Sequence, residues 1–199
     1  MTTRAFLRDE SGASAAEFGL VLPLLLLFLF GIIDAGRWLW EYNRAEKATQ
    51  AGARFAVVSD PIPGGLAAAN YVGVGGLTQG DIIPASAFGT VTCTNTTCTC
   101  ETSPCPALGT YQAAAFTRVV TRMRAMMTNI GPANVTITYE GSGLGYAGDP
   151  NGMDISPLVT VELSRLKFRP ITTLLLVPFD MPNFRTSLTS EDANGLQSN

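Results

Sequence analysis

Glu17 stands five positions after Gly12 in the run Gly12-Ala13-Ser14-Ala15-Ala16-Glu17-Phe18, immediately before an apolar stretch that reaches Ile33. An ionised carboxylate at the edge of hydrocarbon needs a cationic partner or must give up its charge, and residues so placed are usually functional. The chemistry to look for at Glu17 is therefore ion pairing. A second group with chemical potential is Cys93, Cys98, Cys100 and Cys105, the only cysteines of the chain, in C-x4-C-x-C-x4-C spacing. Four thiolates can bind zinc, but the usual C-x2-C knuckles are missing, and an even count in one short segment reads as two disulfides. Disulfides imply an oxidising compartment. Of the three pairings, the one containing Cys98–Cys100 is the least comfortable, because a single residue separates the two; the other two remain open.

The chain has no histidine, which removes Ser-His-Asp and Cys-His catalysis and histidine metal ligation together. Glu140, Asp149, Asp154 and Glu162 could supply acid–base chemistry, but their spacing matches no catalytic motif. Asp149 and Asp154 lack the ligand spacing and closing glutamate of an EF-hand loop and read as solvated loop acids. No metal or cofactor is expected. The net charge is −3 and no Lys or Arg lies between Arg54 and Arg118, so no basic surface is available for phosphate backbones and nucleic acid is not an expected partner.

These residues must be positioned by a membrane element and one modest domain, since 199 residues that are 46% hydrophobic leave room for little more. Ala13 to Ile33 carries no charge but Glu17; roughly 21 residues at ~1.5 Å rise match a hydrocarbon core of about 30 Å. Pro23 is tolerable there because membrane helices re-satisfy the freed carbonyl through their neighbours. A cleaved signal peptide is the alternative, but Ile33-Asp34-Ala35 is a poor small-residue cleavage site and the apolar run is long for an h-region. Trp38, Trp40 and Tyr42 follow the span as interfacial anchors do, and membrane lipid is thereby an expected partner. The positive charges favour the wrong side for an N-in protein, with Arg4 and Arg8 before the span and Arg37, Arg44, Lys47 and Arg54 after it. The cysteines outweigh that bias and put the C-terminal domain outside. No proline occurs between Pro23 and Pro61, so span and stalk read as one helix over 13–58. On the stalk, Trp38, Tyr42, Ala45, Ala48, Gly52, Phe55 and Ala56 form a stripe rich in small residues. It suits close approach either of a second helix or of the chain's own domain.

The N-terminal third resembles the TadE-like minor pseudopilins of tight-adherence (Flp, type IV-related) pilus systems. The resemblance rests on Arg8-Asp9-Glu10-Ser11-Gly12-Ala13-Ser14-Ala15-Ala16-Glu17-Phe18, the Leu-rich run, Gly31-Ile32-Ile33-Asp34-Ala35-Gly36-Arg37 and Ala51-Gly52-Ala53-Arg54-Phe55-Ala56. It implies a leader over 1–12 that a prepilin peptidase removes at Gly12–Ala13, with Glu17 and Phe18 as the family's Glu-Phe pair. Glycine leaves the scissile backbone unobstructed, and cleavage would create an α-amino group at Ala13 about one helical turn from Glu17. That pair would offset the burial of both charges and fix register.

Beyond the stalk, 59–109 is rich in Gly, Pro and Thr and reads as loop with short elements pinned by the cysteines. A helix is predicted from Tyr111 with Thr110 as N-cap to Gly131-Pro132, with Phe116, Val119, Val120, Met123, Met126, Met127 and Ile130 on one face. Val135–Glu140 alternates as a half-buried strand, Leu158–Phe168 reads as a longer strand with a bulge near Ser164-Arg165, and Asp149-Pro150-Asn151-Gly152 is a turn. Ile171–Phe179 is too short to span and reads as a buried turn or irregular core segment. Phe184–Thr189 is a last strand before a polar tail over 191–199 that is expected to be disordered. The expected fold is α+β: a long N-terminal helix and a head over 110–190 with a helix packed on an antiparallel sheet.

The function implied is that of a non-enzymatic pseudopilin of the bacterial inner membrane, single-pass with a periplasmic C-terminal domain. Its expected partners are the prepilin peptidase, other pilins or pseudopilins and the assembly machinery. A membrane-anchored periplasmic enzyme or ligand-binding protein is the alternative, and a concave pocket where several of these carboxylates converge would favour it. A domain released by signal peptidase would instead begin near Gly36.

Overall fold

The structure, a computed structural model, describes residues 11–150, 152–171 and 177–190, without the side chains of 11–13. Most of the expected leader, Asn151 of the turn, the middle of Ile171–Phe179 and the tail lie outside the described residues. The chain divides into two compact units, Met1–Glu41 with Lys167–Phe179 and Tyr42–Leu166 with Asp180–Asn199.

Helix α1 runs from Ser11 to Ala56 through Pro23, as the absence of any further proline before Pro61 allows. In the first unit, every residue from Ser14 to Ile33 is exposed. Among the described residues this stretch is thus left uncovered, and the helix is long and apolar enough to cross a membrane. At the end of the apolar stretch burial begins, with Asp34 only 5% exposed.

The second unit is built on a five-stranded sheet of β1 (Thr90–Cys93), β2 (Cys98–Thr102), β3 (Val135–Glu140), β4 (Leu158–Leu163) and β7 (Phe184–Thr189), in the order β2-β1-β3-β4-β7. All neighbours are antiparallel. The two short strands β5 (Lys167–Phe168) and β6 (Phe179–Asp180) form a separate ladder. Strict alternation in β3 buries Val135, Ile137 and Tyr139, and β4 answers with Val159, Val161 and Leu163, as a sheet with one covered face requires. Helix α2 (Ala113–Arg124) buries Ala115, Phe116, Val119, Val120 and Met123. The fold is α+β, with a long apolar N-terminal helix and a helix packed on an antiparallel sheet, as the sequence indicated.

The small-residue stripe of α1 is docked on the chain's own domain from Ala45 onward. Ala45, Ala48, Gly52, Phe55 and Ala56 are buried, and a Cβ at Gly52 would stand 2.8 Å from Met123 Cγ of α2 and 3.3 Å from Val161 Cγ1 of β4. Thr49 and Thr186 hydroxyls meet at 3.0 Å, and the Arg44 guanidinium donates to the Met126 carbonyl at 2.8 Å.

Four local readings are corrected. The stretch 59–109, read as loop with short elements, contributes β1 and β2 as a hairpin of the main sheet, with β2 at its edge. Helix α2 starts at Ala113 rather than Tyr111, because Gly64 N–H donates to Thr110 O, Gly65 N–H to Leu108 O and Gln112 N–H to Ile62 O, tying 108–112 to 62–65. It ends at Arg124, leaving Met127 and Ile130 buried in the turn that follows and Met126 41% exposed. The expected bulge is instead the end of β4: Arg165 has φ 57°, and Asn134 Nδ2 donates to the carbonyls of Ser164 and Arg165. Phe168 thereby passes into the β5–β6 ladder.

Tyr139 closes the core. Its hydroxyl accepts a hydrogen bond from Ile62 N–H at 3.2 Å, and burial pushes its pKa up to about 12. Tyr71 is likewise pushed up to about 12, by burial first and by the charge of Asp154 second. Because the folded values exceed the unfolded value near 10, the neutral tyrosines contribute stability that is complete below about pH 10 and is lost as pH rises toward 12. Alkaline titration should show tyrosinate absorbance from these two residues only near pH 12 or together with unfolding. A folded protein in which all five tyrosines ionise near pH 10 would contradict it.

Candidate functional site

Gly12 and Ala13 lie in the first turn of α1, and Glu17 and Phe18 follow on its exposed surface, Phe18 being 65% exposed. Ala13 and Glu17 are four residues apart on a helix, so one turn, about 6 Å, separates their backbone positions. Among the described residues no cation reaches Glu17.

The exit from the apolar stretch holds a polar cluster that the sequence reading did not single out. Asp34 Oδ1 accepts from Arg37 Nη1 at 3.0 Å and from the backbone N–H of Ile171 at 2.7 Å. Arg37 also donates to the Arg169 carbonyl at 3.4 Å and lies 5.5 Å from the centre of the Phe168 ring. A buried carboxylate is tolerable with this set of donors, since charge-assisted bonds replace its lost hydration. The available signal was an acidic residue directly after Ile33 with a basic residue three positions on, on one helix face. Beside this cluster a groove of about 430 Å³ is lined by Gly31, Asp34, Ala35, Trp38, Leu39, Phe168, Pro170 and Phe179.

The three aromatic residues after the span have different surroundings. Trp40 is 60% exposed, Trp38 is half-buried at the groove, and Tyr42 packs edge-on against Phe184 with ring centres 4.9 Å apart. Of the stretch Ile171–Phe179, expected to be buried, the described residues Ile171, Val177 and Phe179 are 52%, 80% and 46% exposed.

The cysteines form Cys93–Cys98 and Cys100–Cys105, each across a sequence separation of 5. The first joins residues directly opposite in the β1–β2 ladder, and with every thiol in a disulfide the zinc reading falls. Two of the four carboxylates, Glu162 and Asp154, are engaged structurally. Glu162 pairs with Arg185 at 3.0 Å and accepts from Asn183 at 2.9 Å. Asp154, expected to be solvated, is buried: its Oδ2 accepts from the N–H groups of Tyr71 at 2.7 Å and Gly148 at 2.9 Å, and its Oδ1 from that of Asp149 at 3.1 Å. Three backbone donors converging on one carboxylate stabilise its charge away from water. Asp154 is a loop organiser.

No curated protein and no solved structure matches the chain. Among protein families, residues 12–54 match the one described as TadE-like protein. The match opens at Gly12, takes in Glu17, the apolar stretch and the Asp34–Arg37 pair, and closes in the last turn of α1. Over residues 12–54 the chain is thereby similar to the TadE-like family that its N-terminal residues resemble.

Proposed function

We propose that this protein is a non-enzymatic minor pseudopilin of a tight-adherence pilus system, cut by a prepilin peptidase between Gly12 and Ala13. The observation that carries the reading is the TadE-like match, which opens at the glycine itself. The proposed partners are that peptidase, the other pilins or pseudopilins with their assembly machinery, and membrane lipid. The protein sits in the bacterial inner membrane as a single-pass chain, with the domain after the span in the periplasm. Two disulfides support an oxidising compartment for that domain. Glu17 then pairs with the new α-amino group of Ala13, in the same subunit or a neighbouring one. Trp38 and Trp40 anchor the helix at the interface.

The test is the mass and N-terminal sequence of the chain produced with and without the peptidase. The expected result is a chain beginning at Ala13 only when the enzyme is present, and a Gly12→Ala variant that keeps its leader. An N-terminus upstream of Ala13 beside an active peptidase would overturn the proposal.

A further inference from the structure

The geometry points to a second membrane contact in this protein: the described residues that return to the end of the apolar span, Phe168, Pro170, Ile171, Val177 and Phe179, lie in the outer interface of the same bilayer. The inference rests on the reading of α1 as membrane-spanning.

Depth is the first argument. The Asp34 carboxylate, one residue past the apolar stretch, accepts the Ile171 N–H at 2.7 Å, so Ile171 is pinned at the level where hydrocarbon gives way to headgroups. The groove beside it reaches from Leu39 down to Gly31. Gly31 is three residues inside the span, about 4.5 Å deeper than Asp34 along the helix. Phe168 and Phe179, whose rings are 5.5 Å apart, line that groove on the returning segment. A surface that shares a wall with residues of the hydrocarbon layer must itself meet lipid or a protein that replaces lipid.

Amphipathicity is the second argument. Val177, Ile171 and Phe179 are exposed apolar residues, while Lys167 and Arg169 are exposed cations in the same segment. Apolar residues beside cations are what an interfacial element presents to acyl chains and anionic headgroups. Asp34 and Arg37 hold Ile171 and Arg169 to the helix. The occupant of the groove is then the acyl chain of a phospholipid at the outer leaflet.

A single thiol can be introduced cleanly, because the native cysteines are all paired and Val177 is 80% exposed. The full chain carrying Val177→Cys, labelled with an environment-sensitive fluorophore, is placed in liposomes with or without acyl-chain nitroxide lipids, and Leu26→Cys serves as the reference within the span. The expected result is a blue-shifted Val177 label that loses about half or more of its emission to the nitroxide lipids and resists aqueous iodide, as an interfacial side chain does. If Leu26 is quenched by lipid but Val177 is quenched by iodide, the second contact is overturned and the span stands. A Val177 label shielded from both quenchers also overturns it, in favour of a protein partner. A Leu26 label left unquenched by lipid overturns the spanning reading, and this inference with it.

Discussion

Replacing Asp154 by alanine should destabilise the second unit by about 3–5 kcal/mol, because each buried N–H left without an acceptor costs roughly 1–3 kcal/mol and three lose theirs together. The carboxylate ties Tyr71 to Gly148 and Asp149 across a large sequence distance, so the loss is felt in two loops at once. Asp154→Asn keeps one acceptor oxygen, which can serve Tyr71 and Gly148 while the amide faces Asp149. It should cost less than half as much. Urea unfolding of the full chain in detergent, followed by circular dichroism, measures both variants. A second readout is the Tyr71 hydroxyl: its raised pKa owes part of its shift to the Asp154 charge, so it should ionise at lower pH in any folded fraction of either variant. An alanine variant as stable as the parent would show that the two loops do not depend on the carboxylate.

Gly52→Leu should cost about 3 kcal/mol or more, the upper range for forcing volume into a packed core. The first added carbon already stands 2.8 Å from Met123 Cγ, 3.0 Å from Met123 Sδ and 3.3 Å from Val161 Cγ1, and leucine adds three more with nowhere to go. Gly52→Ala is the informative companion. Met123 is a flexible side chain and can yield, while alanine gains about 1 kcal/mol of helix propensity over glycine. That variant should lie close to the parent. If Gly52→Leu left unfolding unchanged and only weakened association with other subunits, the stripe would serve a partner helix rather than the chain's own core.

Much of this was legible where one periodicity dominates. The apolar run to Ile33, the unbroken helix to Ala56 and the alternation of Val135–Glu140 are each set by a single local pattern. The resemblance carried by Gly12, Glu17 and the residues around Asp34 and Gly52 was equally readable, because it lies in contiguous sequence. What escaped depended on pairing at a distance. Thr110 looks like a helix cap until residues 108–112 are seen to be hydrogen-bonded to 62–65, and the Met126–Ile130 positions continue the helical spacing without continuing the helix. Asp154 reads as a solvated loop acid because its three donors come from two other stretches of chain. The Asp34 cluster escaped for the same reason, since Arg169 and Ile171 return to it from far along the sequence.

The arrangement of the cysteines makes their pairing independent of the later strands. Each disulfide joins residues 5 apart within the β1–β2 hairpin and its exit, so oxidation needs no part of the later chain. The sheet does: β1 must wait for β3, and β4 for β7, whose last residue is Thr189. A chain entering an oxidising compartment from its N-terminal side can therefore staple the hairpin while most of its sheet partners are still to arrive.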